Sequence, residues 1–149
     1  MRNRSLILAL GLAGAALAPA GCATTSDPAA ATAEAQRPAT REAILGSWRL
    51  DRIDGAPAPA RAAFTLTFAA DGQASGTINC NKVSAPYTVE GGRVVFGEGS
   101  QTLVGCRGFP DLSSAERSVF GAARSWLSAD GRRLVFEGRQ RVAFRRATG

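Results

Sequence analysis

The sequence lacks histidine altogether, and none of its three cysteines lies in a Cys-x-x-Cys pair. Histidine is the commonest metal ligand in proteins and the usual base that activates a nucleophilic cysteine. Structural zinc sites are also built from cysteine and histidine at short, regular spacings. These absences argue against a metal centre and a catalytic nucleophile, so we predict no metal, no cofactor and no catalytic residue.

Paired carboxylates and phosphate-binding loops are also poorly represented. Asp51 and Asp54 are close in the sequence, but Asp54-Gly55 is a typical turn dipeptide. Asp51 belongs to the outward side of a predicted strand, and nothing indicates a second carboxylate converging with it in a cleft. Gly91-Gly92 is not followed by the Lys-Ser/Thr pair of a phosphate-binding loop. We therefore expect a protein that is not an enzyme.

The N-terminus, "MRNRSLILALGLAGAALAPAGC", has the pattern of an export signal. Two arginines precede an apolar run over residues 6–18, which is shorter than the roughly 20 residues that a membrane-spanning helix needs. The stretch resembles a bacterial lipoprotein signal, in which residues 1–21 are removed and Cys22 is acylated. The alternative is ordinary cleavage after Ala18-Pro19-Ala20, which would release a soluble protein beginning at Gly21.

Acylation would define both the compartment and the role of the next segment. We expect an exported protein, lipid-anchored in the bacterial cell envelope, in the outer membrane facing the periplasm. Residues 22–42 contain two prolines and no large apolar residue, so they are predicted to form a disordered Ala/Thr/Pro-rich tether. A random coil of this size spans roughly 25 Å on average, which would hold the domain at residues 43–147 clear of the bilayer.

Alternating apolar and polar residues dominate the domain at residues 43–147. In "FTLTF" (64–68), Phe, Leu and Phe alternate with threonine, as in a strand with one buried face. Turn dipeptides such as Asp71-Gly72 and Asp130-Gly131 separate several such segments. We predict a mainly β fold, a small antiparallel β-barrel-like domain of about seven or eight short strands.

One segment has helical rather than strand periodicity. In "PDLSSAERSVFGAARSW", apolar residues from Leu112 to Trp126 recur at helical spacing. Ser113 and Glu116 have the spacing of a capping box, which would satisfy two backbone N–H groups at the start of a helix. We therefore predict a single α-helix over residues 112–125, inserted before the last hairpin.

Several segments of the domain together carry a family resemblance. They are "LGSWRLDRIDG" (45–55), "FTLTFAADGQASGTINCN" (64–81), "PYTV" (86–89), "QTLVGC" (101–106) and "DLSSAERSVFGAA" (111–123). In this order they resemble the META domain of the HslJ-like family, which comprises small bacterial heat-shock and envelope proteins. Asn79 departs from the family pattern, because a glycine commonly precedes the cysteine there.

The resemblance implies a lipocalin-like barrel with one helix and no established catalytic activity. It also implies structural roles for the motif residues Trp48, Gly76, Asn81, Tyr87 and Thr102.

Cys80 and Cys106 remain as an even pair if Cys22 carries lipid. In an oxidising compartment such a pair predicts a disulfide, which in the chain-entropy model would add roughly 3.5 kcal/mol to stability. The alternative is two buried, reduced thiols that pack as small hydrophobic groups.

Arginine is concentrated near the C-terminus. Arg139, Arg141 and Arg145 have the same parity along the predicted last strand, and Arg146 follows them. This patch could bind an anionic envelope component or an acidic protein. The alternative is an ordinary solvated surface. Nucleic acid is not an expected partner after export, and the predicted arginine face has no interleaved aromatic residues.

Three classes of function follow from these features. We expect a non-catalytic, lipid-anchored, monomeric envelope protein that supports envelope integrity or stress tolerance. The second class is a binding module, which would take a small apolar ligand in the barrel or a protein or anionic partner on the arginine patch. Bulky aromatic residues look sufficient to fill a small barrel, which argues against a ligand cavity. The third class, an enzyme, is disfavoured by the missing catalytic groups.

Overall fold

The computed structural model describes residues 35–148, so the predicted signal peptide and Cys22 lie outside the described residues. The strands are β1 (Gln36–Pro38), β2 (Gly46–Ile53), β3 (Ala56–Pro57), β4 (Phe64–Phe68), β5 (Gln73–Ile78), β6 (Asn81–Glu90), β7 (Arg93–Phe96), β8 (Ser100–Gln101), β9 (Arg124–Ser128), β10 (Arg133–Glu137) and β11 (Arg141–Arg146). The helices are α1 (Arg41–Ile44) and α2 (Ser113–Phe120). Neither described helix has the length and apolar character needed to cross a membrane.

All the described strands belong to one antiparallel sheet. Its order is β1-β9-β10-β11-β2-β4-β5-β6-β7, with β3 beside β2 and β8 beside β6. The sheet curls until its two edges approach: the Ala39 N–H donates to the Gly92 carbonyl at 3.1 Å, and the Val94 N–H donates to Ser125 Oγ at 2.8 Å. The antiparallel, barrel-like prediction is confirmed, although the described residues form 11 strands rather than seven or eight and the sheet is not closed.

Aromatic side chains fill the space inside the curled sheet. Phe64, Phe136 and Phe144 are fully buried, and Phe144 packs edge-on against Phe64, with ring centroids 5.1 Å apart. Phe96 extends this cluster to Phe120 of α2 at 4.8 Å. The inward positions of β4 alternate with outward threonines as predicted, because successive side chains of a strand point to opposite faces.

The long predicted helix is shorter than expected. Helix α2 ends at Phe120, and Trp126 lies in β9 rather than on a helical face. The predicted capping box is also wrong: the Asp111 carboxylate accepts from the Ser113 N–H at 2.9 Å and from its hydroxyl at 2.7 Å. Because Ser113 is engaged in this local turn, it cannot cap the helix with its own side chain.

The predicted tether extended too far towards the domain. Gln36–Pro38 forms β1 and pairs with β9, and Ala39 is buried. Thr40 then caps α1 by accepting from the Ala43 N–H at 3.3 Å, so the domain has two helices rather than the single predicted one. Backbone hydrogen bonds to an exposed strand edge recruit this segment, and such bonds need no large apolar side chain.

Arg146 clamps α1 onto the sheet. Its guanidinium donates to the Leu45 carbonyl at 2.8 Å and to the Ala43 carbonyl at 2.6 Å. The same group lies over the Trp48 ring, 4.3 Å from the centroid, and the Trp48 indole N–H donates to the Ile44 carbonyl at 2.7 Å. These bonds satisfy carbonyls that a helix C-terminus otherwise leaves without partners.

We expect Arg146→Gln to lower the free energy of unfolding by roughly 1–3 kcal/mol, because it removes two charge-assisted hydrogen bonds and a cation–π contact. The matched control, Arg145→Gln on the same strand, should change it little, since the Arg145 side chain makes no hydrogen bond or ion pair within residues 35–148. Chemical denaturation monitored by tryptophan fluorescence measures both variants. Equal losses in the two variants would contradict the clamp.

Candidate functional site

A disulfide joins Cys80 to Cys106, as predicted. The Cα atoms are 5.6 Å apart and the bridge links positions 26 residues apart in the sequence. It ties the start of β6 to the irregular segment between β8 and α2, where no strand ladder holds the chain. The alternative of two reduced, buried thiols is therefore wrong.

The Asn81 side chain holds the same segment by hydrogen bonds. Its Oδ1 accepts from the Val104 N–H at 2.7 Å and from the Thr102 hydroxyl at 3.1 Å, and its Nδ2 donates to the Val104 carbonyl at 3.1 Å. Thr102 Oγ1 in turn accepts from the Lys82 N–H at 3.0 Å. With the disulfide, these bonds hold the segment in place while leaving Leu103 90% exposed.

Asn79 replaces the glycine that is common before the family cysteine, and its backbone shows why asparagine is tolerated. Its φ is +53°, a left-handed conformation that asparagine adopts more readily than most side chains. Its Nδ2 donates to the Pro110 carbonyl at 2.8 Å, and its Oδ1 accepts from the Ala63 N–H at 3.3 Å.

The remaining motif residues also serve the fold. The Tyr87 hydroxyl donates to the Ala69 carbonyl at 2.8 Å, and its ring packs edge-on against Phe68. Burial raises the pKa of Tyr87, against an opposing effect of the nearby Arg41. Gly76 is required by close packing, because an added Cβ would overlap the backbone carbonyl of Thr65 on β4.

The four predicted patch arginines do not form one surface. Arg146 is the clamp described above, and Arg139 lies in the turn before β11. Arg141 forms an ion pair with Glu137 at 3.0 Å. Burial opposes ionisation of Glu137, but the Trp126 indole, Arg124 and Arg141 together hold its pKa below the ordinary value. Arg145 lies on the outer face, and like Arg139 and Arg146 it has no ion-pair partner within residues 35–148.

The strand register places Arg145 among cations that sequence parity did not connect with it. Arg145 faces Arg133 of β10 on one side and Arg49 of β2 on the other. The same line continues across the outer face through Thr65, Thr77 and Lys82. We call these six residues the basic row.

A second line of facing residues runs parallel to the basic row. Its members all carry hydroxyl groups, and we call it the hydroxyl row. They are Ser47, Thr67, Ser75, Ser84 and Ser100 on β2, β4, β5, β6 and β8. The two rows are separated by two residues along each strand they share, so their side chains point to the same outer face.

Two open depressions lie along these rows. One, of about 620 Å³, includes Ser75, Thr77 and Lys82. The other, of about 430 Å³, includes Arg49, Arg145 and Arg146, and Thr65 and Thr67 border both. No carboxylate lines either depression among the described residues. The arrangement is suited to binding an anion and contains no nucleophile paired with a base.

The fold and this site define a small antiparallel β domain whose motif residues stabilise the fold and whose outer face is cationic. The chain belongs to the META domain family, whose profile matches residues 42–149. This is not a known enzyme family, and membership supports a non-catalytic protein of the envelope type.

Comparison with solved structures gives the same fold. The chain is similar to a protein from Burkholderia xenovorans, determined by NMR, with a TM-score of 0.60 and 22% identity over 95% of this chain and 100% of that chain. At this identity the likeness concerns the fold alone. No curated protein matches the chain.

We expect Gly76→Ala to lower the free energy of unfolding by at least about 2 kcal/mol, because the added methyl forces β4 and β5 apart. Gly105→Ala is the matched control, since a Cβ there meets no atom within 4 Å. Thermal and chemical denaturation measure the difference. If Gly76→Ala unfolds at the same denaturant concentration as the control, close packing against β4 is not the reason for a glycine at position 76.

Proposed function

We propose that this chain is a non-catalytic, lipid-anchored protein of the bacterial envelope that binds an anionic component there through its outer sheet face. The observation that carries the proposal is the placement of Arg133, Arg145 and Arg49 at directly facing positions on three neighbouring strands.

Like charges directly opposite each other on neighbouring strands destabilise a sheet. Asp51 lies 3.7 Å from Arg133 and offsets part of this repulsion. Arg49 and Arg145 have no such carboxylate partner within the described part of the chain. An anion bound between Arg49 and Arg145 would relieve the repulsion between them. The basic row is therefore more stable with an anion bound than without one.

The lipid anchor is supported by the N-terminal pattern and by the cysteine count. The observed disulfide uses Cys80 and Cys106, which leaves Cys22 as the remaining cysteine of the three. An anchor in the outer membrane would hold the domain near anionic envelope material, where even weak binding becomes effective through high local concentration. A contribution to envelope integrity or stress tolerance would follow from linking the membrane to that material.

Cys22→Ser should abolish acylation and move the protein from the membrane to the soluble fraction, because the lipid supplies the membrane affinity. Detergent phase partitioning and mass spectrometry of the mature N-terminus measure this. A mature chain that begins at Gly21, or a Cys22→Ser protein that stays in the membrane, would contradict the anchor.

Arg49→Gln combined with Arg145→Gln should weaken binding to immobilised dextran sulfate about tenfold or more in 0.1 M salt, because two neighbouring cations are lost. Binding by the unaltered protein should fall steeply towards 1 M salt, as the Debye length shrinks from about 10 Å to about 3 Å. The melting temperature should stay the same or rise slightly, because the two substitutions remove the repulsion between facing cations.

The matched control is Arg107→Gln combined with Arg139→Gln, which removes the same charge from exposed positions outside the row. It should bind almost as well as the unaltered protein. Equal loss in both double variants would mean that only net charge matters and that the row is an ordinary solvated surface.

A further inference from the structure

We infer that the anionic partner is an acidic polysaccharide, an extended chain of sugar rings bearing carboxylates, which lies across the strands along the basic and hydroxyl rows. The inference rests on the proposed function, because it assigns a chemical class to the ligand of the same face.

The basic row has the charge pattern that such a chain requires. Arginines occupy β10, β11 and β2, threonines occupy β4 and β5, and Lys82 of β6 ends the row. Cations at both ends can pair with carboxylates. The threonines between them offer hydrogen bonds to the uncharged hydroxyl groups of a sugar, so the row combines charge pairing at its ends with hydrogen bonding at its centre.

The hydroxyl row lies beside the basic row and adds side chains that are still able to donate and accept hydrogen bonds. Among residues 35–148, the side chains of Ser75, Ser84 and Ser100 make no hydrogen bond to the protein. Ser47 and Thr67 bond to each other at 2.9 Å, which uses only part of their capacity, since each hydroxyl has one donor and two acceptor sites. Short hydroxyl side chains also leave room for a ligand, as the two depressions show.

The spacing of the rows suits an extended sugar chain. Neighbouring strands lie about 4.8 Å apart, so the six-strand basic row measures roughly 24 Å along the curved outer surface of the sheet. This strand spacing is close to the advance per sugar unit in an extended pyranose polymer. A chain laid across the strands would therefore present about one sugar to each strand and keep its groups in register with the side chains.

A lipid bilayer fits this face less well than a polysaccharide. Apolar side chains that enter the acyl region strengthen binding at a membrane interface beyond what charge attraction alone provides. The exposed large apolar side chains of the described residues are Leu103, Val104 and Phe109. None of them lines the depression at Lys82 or the depression at Arg145.

The test compares acidic and neutral forms of one polymer on the full-length lipidated protein in a neutral detergent. Polygalacturonate oligomers carry a carboxylate on every sugar, and fully methyl-esterified oligomers have the same backbone without charge. We expect the esterified form to bind at least tenfold more weakly by isothermal titration calorimetry. Equal affinities for the two forms would overturn the inference.

The variant that isolates the sugar contacts is Thr67→Val with Ser75→Ala and Ser84→Ala, which removes hydroxyl groups from three strands and no charge. It should bind polygalacturonate at least about tenfold more weakly, since hydrogen-bonding groups are lost on three strands. Its affinity for polyglutamate, which has carboxylates but no sugar hydroxyls, should be unchanged. The control is Thr88→Val with Ser114→Ala, at exposed positions outside the rows, and it should match the unaltered protein with both polymers.

The outcomes separate the inference from the proposed function. If the hydroxyl variant binds polygalacturonate as well as the unaltered protein, the ligand is an anion of another kind and the inference fails, while the basic row stands. The same follows if vesicles containing anionic lipid bind and polygalacturonate does not. If the Arg49→Gln, Arg145→Gln variant binds every polyanion unchanged, the proposed function itself fails. Melting temperatures of all variants show whether a loss of binding reflects unfolding.

Discussion

The aromatic core at the centre of the curled sheet determines the register on which every other feature depends. Phe144 contacts Phe64 and Phe136 with ring centroids 5.1 and 5.8 Å apart, which couples β11 to β4 and β10. A slip of one residue in any of these strands would turn its phenylalanine to solvent, so the core strongly disfavours such slips. Once inward positions are fixed, the residues between them must face outwards, and the basic row is a direct consequence.

Outside the sheet, different constraints hold the chain. The segment between β8 and α2 has no ladder of backbone hydrogen bonds, and the Cys80–Cys106 bridge and the Asn81 side chain take that role. At the other end of the sheet, Arg146 satisfies the carbonyls at the end of α1. The motif residues of the META family thus explain how a small domain orders its irregular parts, and they leave its outer face available for interactions.

That outer face combines two kinds of group that rarely serve catalysis without a base or a metal. Arginine and lysine provide permanent positive charge. The hydroxyl groups of serine and threonine can both donate and accept hydrogen bonds. Such groups recognise anionic and polyhydroxylated molecules by charge and hydrogen bonding.

Local features were readable from the sequence because they depend on neighbouring residues. Alternation in "FTLTF", turn dipeptides and cysteine parity led to an antiparallel β domain with a Cys80–Cys106 disulfide, and both are present. The edge pairing of β1 was missed because it rests on backbone hydrogen bonds that carry no apolar pattern. The meeting of Arg145 with Arg49, and the bonds of Arg146 to the carbonyls of Ala43 and Leu45, depend on which strands become neighbours. Residues almost 100 positions apart face each other only after the core has set the register, so only the tertiary structure could decide which cations share a face.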